Sequence, residues 1–484
     1  MRNTHFVLVI LAAGWTHLSA DETKEPKLLP SEKLAGDGVW VMPTSRGQGN
    51  LRVNVWFDEQ FLGDGKAYAR RAEEFAGAKR RELRASVIKT LKSLSDKSYA
   101  AAKADLDKLQ ADRKILNFER HWIVNGFRGT IAADQIDLLK KVPGVKKIFI
   151  AGRAFNRSPA NAGKAPHFPA LEGNKFDPSQ YQYPWYVRYL QADKVWQKFG
   201  ATGRGTLNVV HDFNFVFSDN VTANLYRRKG EIPDNGKDDD GNGLIDDYHG
   251  YNFDLRSPNL TMRDVPRGML QPQLMHGYTC AAVICGSGAK GHEYQFGIAP
   301  EASWTGVIGS QRLEAAIQWA VEQGADTYSM SFSIPNLGEY RSHWRKIMEH
   351  GSFCGVYFVS GAGNFAQRVP IPLQMRVPED IPNAVFAAAG VQRNFSRTPL
   401  SSKGPVKWET EHYKDGTVQK PAVCARRGDG RRRCVELCCR HERPRFGRRC
   451  CQQRRRVRSN PCPRIKIRDR CQPNANRRVI ENHA

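Results

Sequence analysis

The sequence lacks several features that would place it in common protein classes. Its 484 residues contain no run of eighteen apolar residues, which argues against a membrane-spanning helix. Residues 1–425 hold only four of the eleven cysteines, too few and too scattered to indicate a fold that depends on disulfides. What remains is a chain long enough for two or three domains with a large buried core.

The positive charge is concentrated at the C-terminal end. The formal net charge is +25, from 74 Lys and Arg against 49 Asp and Glu. Residues 426–484 hold 20 of these basic residues, 5 of the acidic ones and seven cysteines. The preceding part of the chain is therefore only mildly basic, and the overall charge says little about the partners of the main domain.

The N-terminal segment has the pattern of a signal peptide. Arg2 supplies a positive start, an apolar run follows from Phe6 to Trp15, and Leu18-Ser19-Ala20 offers a small residue before polar sequence. Ten apolar residues are too few to span a bilayer. We expect residues 1–20 to be removed and the protein to be secreted, or held in the periplasm or cell envelope. The alternative is a short buried helix.

Residues 21–153 are predicted to form a separate N-terminal region. Residues 66–115 are rich in Ala, Lys, Glu, Arg and Leu and lack Pro, which favours helices. Residues 117–153 predict a compact α+β unit with a strand, a turn at Asn125-Gly126, a second strand, a helix over 132–141 and a strand over 145–150. Residues 154–185 are rich in Asn, Pro, Gly and Ser and are predicted to be a linker.

In residues 186–425 predicted strands alternate with predicted helices. The strands are at 206–213, 303–309, 326–333 and 384–391, and the helices are at 276–288 and 312–324. Residues 344–364 are predicted to form a helix, a turn, a strand and a Gly-rich loop, in that order. Several strands are apolar on both faces, which predicts an α/β fold with a doubly wound parallel sheet and helices on both faces. Active sites of such sheets lie at the carboxyl ends of the strands. The polar residues at these ends are Asp212, His276, Ser331 and Asn364.

Eight short blocks in this region resemble the subtilisin-like serine peptidases, the subtilases of family S8. In order they are VVHDFN, HGYTCAAVICG, GIAPEA, GADTYSMSFS, FVSGAGN, IPNAVFAAAGV, LSSKGP and KPAVCA. Taken singly, each block also fits a turn, a cap or a structural histidine. Their order over about 225 residues carries the resemblance. It implies a secreted endopeptidase that acts on polypeptides through a Ser-His-Asp mechanism, with residues 117–153 as its inhibitory propeptide.

The resemblance also implies roles for individual residues. Asp212 would orient His276, which would take the proton of a serine hydroxyl, and Asn364 would donate a hydrogen bond to the oxyanion. Phe213 and Asn214 stand where the family usually has Thr or Ser and then Gly. The residues expected to bind substrate, partly by pairing with its backbone, are Ser331, Phe332, Ser333 and Gly363.

An acidic loop predicts a second site. Residues 234–253 read DNGKDDDGNGLIDDYHGYNF, in which oxygen-bearing side chains alternate before a glycine turn. This resembles the start of an EF-hand loop, although His249 stands where the bidentate Glu would be. We expect a structural Ca²⁺, and the alternative is a solvated acidic loop. The predicted ligands are Asp238, Asp240, Asn242 and Asp246.

The nucleophile that the resemblance requires is missing. A subtilase needs Gly-Thr-Ser at the start of a helix of small apolar residues, soon after KPAVCA. After Ala425 the sequence instead becomes rich in Arg and Cys, and the one serine beyond Ser402 is Ser459, closely followed by Pro461. We therefore expect this particular chain to lack the nucleophile and to be inactive.

Three interpretations of residues 426–484 remain. A basic arm for nucleic acid is allowed by the Arg content, but aromatic residues are almost absent and we expect no specific nucleic-acid partner. A zinc or disulfide module is allowed by the cysteines, but no C-x-x-C pair is present. A shifted reading frame is favoured, because the codons for Arg440 to Pro444, read one nucleotide later, can encode Gly-Thr-Ser-Ala-Pro, among other translations. The alternative function is a non-catalytic exported protein that binds peptides, or polyanions through its tail.

Overall fold

The structure is a computed structural model that describes the greater part of residues 39–422. The described residues are 39–41, 49–63, 65–153, 168, 176, 183–261, 271–289, 296–335, 337–392, 394 and 396–422. The predicted signal peptide, nearly all of the predicted linker and the predicted tail lie outside these residues. Within the described ranges, none of the helices has the length and apolar character needed to cross a membrane.

The N-terminal unit is an α+β domain built on a five-stranded sheet. Its elements are β1 (Val39–Val41), β2 (Asn50–Phe57), α1 (Gly65–Glu74), α2 (Arg80–Ala111), β3 (Ile115–His121), β4 (Gly126–Ala132), α3 (Asp137–Lys140) and β5 (Val145–Arg153). The strand order is β1-β5-β2-β4-β3, with β2 antiparallel to both of its neighbours. The predicted α+β unit is confirmed, and it is larger than residues 117–153, because β2 forms the centre of its sheet.

The single helix predicted over 132–141 is wrong. Ala132 pairs with Asn50 at the end of the β2–β4 ladder, so it belongs to the strand. A 3-10 turn at Ala133–Gln135 and the one-turn helix α3 follow. Ile136 and Leu139 from this segment are buried in the core of the N-terminal unit.

Helix α2 packs against two different cores. Its buried residues recur every four or seven positions, which is the spacing of one helix face. Ala102 and Leu106, in its second half, cover the sheet of the N-terminal unit. Val87 and Leu91, in its first half, pack in the core shared with the following domain. The helix therefore fixes the position of one unit relative to the other.

The second domain contains a six-stranded parallel sheet. Its strands are β6 (Leu207–His211), β7 (Gly250–Asn252), β8 (Ser303–Ile308), β9 (Thr327–Met330), β10 (Tyr357–Gly361) and β11 (Val385–Ala388). The order is β11-β10-β9-β6-β8-β7, and every neighbouring pair is parallel. The predicted α/β fold with a parallel sheet is confirmed.

Helices cover both faces of this sheet. They are α4 (Trp185–Leu190), α5 (Ala192–Phe199), α6 (Asp219–Thr222), α7 (Gln271–Leu274), α8 (His276–Cys285), α9 (Leu313–Glu322) and α10 (Tyr340–Phe353). Val209 lies in the core formed with α9 and α10, whereas its neighbour Val210 lies in the core formed with α8. A hairpin of β12 (Val406–Glu409) and β13 (Lys414–Val418) completes the described part.

The N-terminal unit docks on α9 and α10. The side-chain oxygen of Gln318 in α9 accepts hydrogen bonds from the backbone N–H groups of Trp122, at 2.6 Å, and Ile123, at 3.1 Å. The ammonium group of Lys346 in α10 is fully buried and donates to the carbonyl of Leu62 at 2.7 Å. The two units therefore share backbone hydrogen bonds as well as an apolar core.

Candidate active site

Asp212 and His276 form a buried, hydrogen-bonded pair at the carboxyl edge of the sheet. Asp212 directly follows β6, and His276 is the first residue of α8. The Asp212 Oδ2 atom lies 2.6 Å from His276 Nδ1, and both side chains are buried. The other carboxylate oxygen accepts the backbone N–H of Phe213 at 2.8 Å. The carboxylate is thus held in one orientation and in turn orients the imidazole.

The electrostatics of the pair favour a charged imidazole. Burial lowers the pKa of His276, but the hydrogen bonds and charges of Asp212 and Cys280 outweigh burial and raise it above its usual value. Among the described residues, no group forms a hydrogen bond with the buried Nε2 atom of this ring. When the ring is neutral, with its proton on Nδ1 toward Asp212, Nε2 is the atom that can accept a proton, and Asp212 then stabilises the imidazolium that forms.

Gly277, Asn214 and Phe213 explain how the local sequence permits the pairing of Asp212 with His276. A Cβ atom on Gly277 would lie 2.3 Å from the carbonyl oxygen of Asn214, so only glycine fits there. The side-chain amide of Asn214 donates to the carbonyl of Leu274 at 2.7 Å, which ties the segment before α8 to the segment after β6. Phe213 stacks on the imidazole of His276, with ring centroids 6.1 Å apart.

Cys280 is a part of this site that the sequence analysis did not include. Its Sγ atom lies 3.9 Å from His276 Nδ1, one helical turn further along α8. One potential ligand atom from each of Asp212, His276 and Cys280 falls within 4.8 Å of the others. The spacing of four residues from His276 on a predicted helix was the available signal.

Asn364, the predicted oxyanion donor, lies at the same edge of the sheet. It follows β10, which is separated from β6 only by β9. The preceding Gly363 has a φ of +89°, and a Cβ atom there would lie 3.0 Å from Glu379 Oε1 and 2.9 Å from Ser402 Oγ. The turn that presents Asn364 therefore requires a glycine.

The predicted substrate-binding residues Ser331, Phe332 and Ser333 follow β9, between these two strand ends. The strand ends at Met330, earlier than the predicted 326–333, because the chain then turns to another partner. Ile334, which directly follows Ser333, forms an antiparallel bridge with Val377.

Glu379 connects this segment with the turn before Asn364, and sequence reasoning missed it. It is fully buried, and its Oε1 atom accepts the hydroxyl of Ser333 at 2.6 Å. Burial raises the pKa of Glu379 to about 8, with a smaller raising contribution from Asp380, against the lowering effect of the Ser333 hydrogen bond. Ser333 and Glu379 are 46 positions apart in the chain, so no local sequence pattern indicates that they are paired.

The acidic loop brings together a different group of carboxylates from the predicted one. Carboxylate oxygens of Glu231, Asp238 and Asp240 lie within 4.8 Å of one another. Glu231 is 5% exposed, and its Oε2 atom has no hydrogen-bond partner among the described residues. Asp240 also forms an ion pair with Arg228. Glu231 precedes the predicted loop, and sequence reasoning missed it.

The other two predicted ligands contact the backbone of the loop. The carboxylate of Asp246 accepts the backbone N–H groups of Asn235, at 3.0 Å, and Gly236, at 3.1 Å. The side-chain oxygen of Asn242 accepts the backbone N–H of Leu244 at 2.6 Å. These hydrogen bonds shape the turns of the loop. Asp238 also accepts backbone N–H groups, from Asn242 at 3.0 Å and Gly243 at 2.7 Å, and in addition belongs to the oxygen cluster with Glu231 and Asp240.

Comparisons with known proteins give a match of one family model to part of the chain and two distant solved structures. The sequence model of the subtilase family matches residues 253–429, which include His276 and Asn364 but not Asp212. None of the curated proteins matches the chain. A crystal structure of MycP1 with its N-terminal propeptide removed shares 18% identity, with 46% of this chain and 68% of that chain covered and a TM-score of 0.32. The epidermin leader peptide processing serine protease (EpiP) from Staphylococcus aureus shares 11% identity, with 73% of each chain covered and a TM-score of 0.41.

Proposed function

We propose that the protein has the architecture of a secreted serine endopeptidase that hydrolyses peptide bonds by a Ser-His-Asp mechanism. Residues 253–429 match the sequence model of the subtilase family, which supports this proposal. The observation that carries this proposal is the hydrogen bond of 2.6 Å between Asp212 Oδ2 and His276 Nδ1 at the carboxyl edge of the sheet. The family implies a polypeptide substrate, and the predicted signal peptide supports export.

The mechanism follows from the orientation of the imidazole. Asp212 accepts the N–H of His276 Nδ1, which leaves Nε2 as the atom that takes the serine proton. The hydroxyl oxygen attacks the peptide carbonyl, and the side-chain amide of Asn364 donates to the oxyanion that forms. Loss of one such donor typically costs about 10²–10³ in turnover. His276 then gives its proton to the leaving amine.

This chain itself is proposed to be inactive, because the Gly-Thr-Ser motif is missing from its sequence. A frameshift near codon 426 accounts for the missing motif, the abrupt change in composition and the excess of Arg and Cys together. An Arg-rich segment cannot replace the buried helix that the serine begins, since each unpaired buried guanidinium would cost several kcal/mol.

A frame-corrected gene tests this proposal. Correcting one nucleotide near codon 426 is expected to encode Gly-Thr-Ser near positions 440–442, followed by small apolar residues. The corrected chain should hydrolyse peptides and react with a serine-directed fluorophosphonate, and the present chain should do neither. Labelling of the present chain, or a corrected frame without a serine there, would contradict the proposal.

A second candidate function applies to the chain as it stands. The half-buried segments around Ser331 and Gly363 at the sheet edge would still offer a surface for an extended peptide if no serine is present. A non-catalytic peptide-binding protein is therefore the alternative. Saturable binding of unstructured peptides without any cleavage would favour it over the enzyme.

The N-terminal unit is proposed to act as an intramolecular inhibitor. Its β5 strand runs toward the catalytic edge, because the guanidinium of Arg52 links the carbonyl of Ala151, at 3.0 Å, to the side chain of Gln311, at 2.7 Å. Gln311 belongs to the loop after the carboxyl end of β8. The chain that leaves β5 thus begins close to the edge where Asp212 and Asn364 lie.

A structural Ca²⁺ in the acidic loop is also proposed. Glu231, Asp238 and Asp240 supply the hard oxygen ligands that this ion prefers. The buried Oε2 atom of Glu231, which lacks a hydrogen-bond partner among the described residues, supports the fit because a cation would satisfy it. The ion would link the segment before the loop, at Glu231, to the turn at Asp238 to Asp240.

A further inference from the structure

Arg228 lies inside the group of carboxylates to which the calcium proposal assigns the metal. Its Nε atom forms an ion pair with Asp240, and its Nη1 atom forms another with the fully buried Asp247. Asp240 is also a member of the oxygen cluster with Glu231 and Asp238. One carboxylate is therefore shared between the guanidinium and the proposed metal site.

The guanidinium of Arg228 is held in place from several sides. The side chain is 13% exposed, and the backbone N–H of the same residue donates to the carbonyl of Tyr248 at 3.0 Å. Its partner Asp247 is fixed in turn, because the Oδ2 atom accepts the indole N–H of Trp319 at 2.5 Å and the side-chain amide of Asn242 at 3.1 Å. A cation bound to the cluster would therefore have the positive charge of Arg228 beside it.

The carboxylates need a further cation although Arg228 is present. Glu231 is 5% exposed and Asp247 is 0% exposed, yet Glu231 Oε2 and Asp247 Oδ1 form no hydrogen bond with any described residue. Buried carboxylate oxygens without partners are costly. One guanidinium balances only part of the charge of the four carboxylates, which are those of Glu231, Asp238, Asp240 and Asp247. Negative charge therefore remains for a divalent cation.

We infer that Arg228 competes with the metal for Asp240 and thereby weakens the site, so that it fills only at Ca²⁺ concentrations above about 0.1 mM. This inference rests on the proposed calcium site. Two effects weaken binding: the ion must share the Asp240 carboxylate with the guanidinium, and two positive charges repel each other in a largely buried site, where salt screens them little.

The affinity has a consequence for where the site is filled. Calcium sensors that act inside cells bind the ion with a Kd of about 10⁻⁷–10⁻⁵ M, whereas extracellular modules bind it with a Kd of about 10⁻⁴–10⁻³ M. A site of the second kind would fill only after the chain has been exported. Before that, Arg228 itself neutralises Asp240 and Asp247, which allows the loop to keep its fold without the metal.

Melting temperatures of the full-length chain over a series of Ca²⁺ concentrations test the inference, because their dependence on calcium gives the apparent Kd. We expect a wild-type Kd above about 0.1 mM. Arg228→Gln removes the competing charge and should bind Ca²⁺ at least about tenfold more tightly, although it should melt at a lower temperature in chelator. Arg228→Lys keeps a positive charge and should stay close to the wild-type Kd.

A purely structural role of Arg228 gives a different result, since losing its ion pairs would then lower the melting temperature with and without calcium and leave the Kd unchanged or weaker. Arg204→Gln is the matched control. It also breaks an ion pair, with Glu301, but at an exposed position outside the acidic loop, and it should leave the Kd for Ca²⁺ unchanged.

The outcomes separate this inference from the calcium proposal. An unchanged or weaker Kd in Arg228→Gln would overturn the competing role of Arg228 alone. If that variant does not fold even with calcium, the wild-type value decides, and a Kd below about 0.1 mM would overturn the inference. Absence of any calcium effect in the wild-type chain and in every variant would overturn the calcium proposal itself, and the inference with it.

Discussion

His350 of α10 accepts a hydrogen bond at Nε2 from the backbone N–H of Leu62, across 3.2 Å, and so joins the second domain to the N-terminal unit. Its Nδ1 atom lies 2.5 Å from the carbonyl oxygen of Ile123. A backbone N–H only donates and a carbonyl only accepts, so the docked imidazole must be neutral, with its proton on Nδ1. The ammonium group of Lys346, which donates to the carbonyl of Leu62, adds positive charge beside this ring.

This bond predicts that mild acid weakens the docking of the N-terminal unit. Burial and then Lys346 lower the pKa of His350 to about 3, whereas an exposed imidazole titrates near 6.5. Below about pH 6.5 the undocked state takes up a proton that the docked state cannot accept. Through His350 alone, docking should therefore weaken by up to about tenfold per pH unit until pH approaches 3. The measurement is the amide hydrogen-exchange protection factor at Leu62 and Ile123, which corrects for the intrinsic pH dependence of exchange and should fall.

A glutamine in place of His350 can donate and accept hydrogen bonds but does not titrate. His350→Gln should therefore make the pH dependence of docking shallower by about one proton. A residual dependence should remain from His412, which contacts the carbonyl of Gly63 and whose pKa burial lowers to about 3. His211→Gln is the control, since His211 is equally buried but contacts Tyr328 inside the sheet. An unchanged slope in His350→Gln would contradict the prediction.

The calcium proposal predicts a metal-dependent melting temperature. Ca²⁺ that binds only the folded state at about 100 times its Kd adds about 2.7 kcal/mol to the free energy of unfolding. Glu231→Gln should remove most of this gain, because it neutralises the buried carboxylate of the cluster. Asp246→Asn should remove less, because that carboxylate lies outside the oxygen cluster. Melting scans with calcium and with chelator measure both effects.

The outcome also separates the two sets of predicted ligands. Loss of the calcium effect in Asp246→Asn with its retention in Glu231→Gln would favour the loop pattern read from the sequence over the cluster in the structure. Identical melting temperatures of the wild-type chain with calcium and with chelator would indicate a solvated acidic loop.

The fold was predictable because neighbouring residues of a strand pack in different hydrophobic cores. Val209 and Val210 point to opposite faces of the sheet, and each face is covered by helices, so the strand is apolar throughout and indicates a parallel sheet. The hairpin of β12 and β13 was missed although its alternation is visible, with Val406 and Trp408 buried and Lys407 exposed between them. One of its contacts, the guanidinium of Arg341 over Trp408, 3.8 Å from the ring centroid, joins residues far apart in the chain.

The candidate site was predictable only where the order of motifs carried it. Asp212 and His276 are 64 residues apart, yet each directly adjoins a predicted strand or helix, and the parallel sheet brings them together. Glu231 and Glu379 carry no such signal. Their significance comes from burial and from carboxylate oxygens without partners among the described residues, which are properties of tertiary packing rather than of sequence.

The N-terminal unit, made as a separate fragment of residues 21–185, is expected to inhibit the frame-corrected enzyme at micromolar concentration or below. The reason is its docking surface on α9 and α10, in which Trp56 donates its indole N–H to His343 Nδ1 at 2.7 Å. Trp56→Ala should weaken inhibition at least about tenfold. Lys103→Ala, at an exposed position of α2, is the control. Absence of inhibition by a folded fragment would contradict the role of propeptide.

Asp212→Asn is predicted to lower the pKa of His276, and the present chain suffices for the test because no nucleophile is needed. In the wild-type chain the hydrogen bond and charge of Asp212 help to outweigh burial, and the pKa lies above 6.5. An asparagine removes the charge and leaves burial as the dominant effect, so the pKa should fall below that value. NMR titration of the His276 ring measures the difference.

The same substitution should change stability in a pH-dependent way. A histidine whose pKa is raised on folding stabilises the folded state fully below pH 6.5, and this contribution is lost as pH rises through the pKa of the folded state. The loss of stability in Asp212→Asn should therefore be larger at pH 6 than at pH 9, measured by urea unfolding. Asp219→Asn, at an exposed position of α6, controls for the loss of one negative charge. An equal loss at both pH values would show that Asp212 does not hold a charged imidazole.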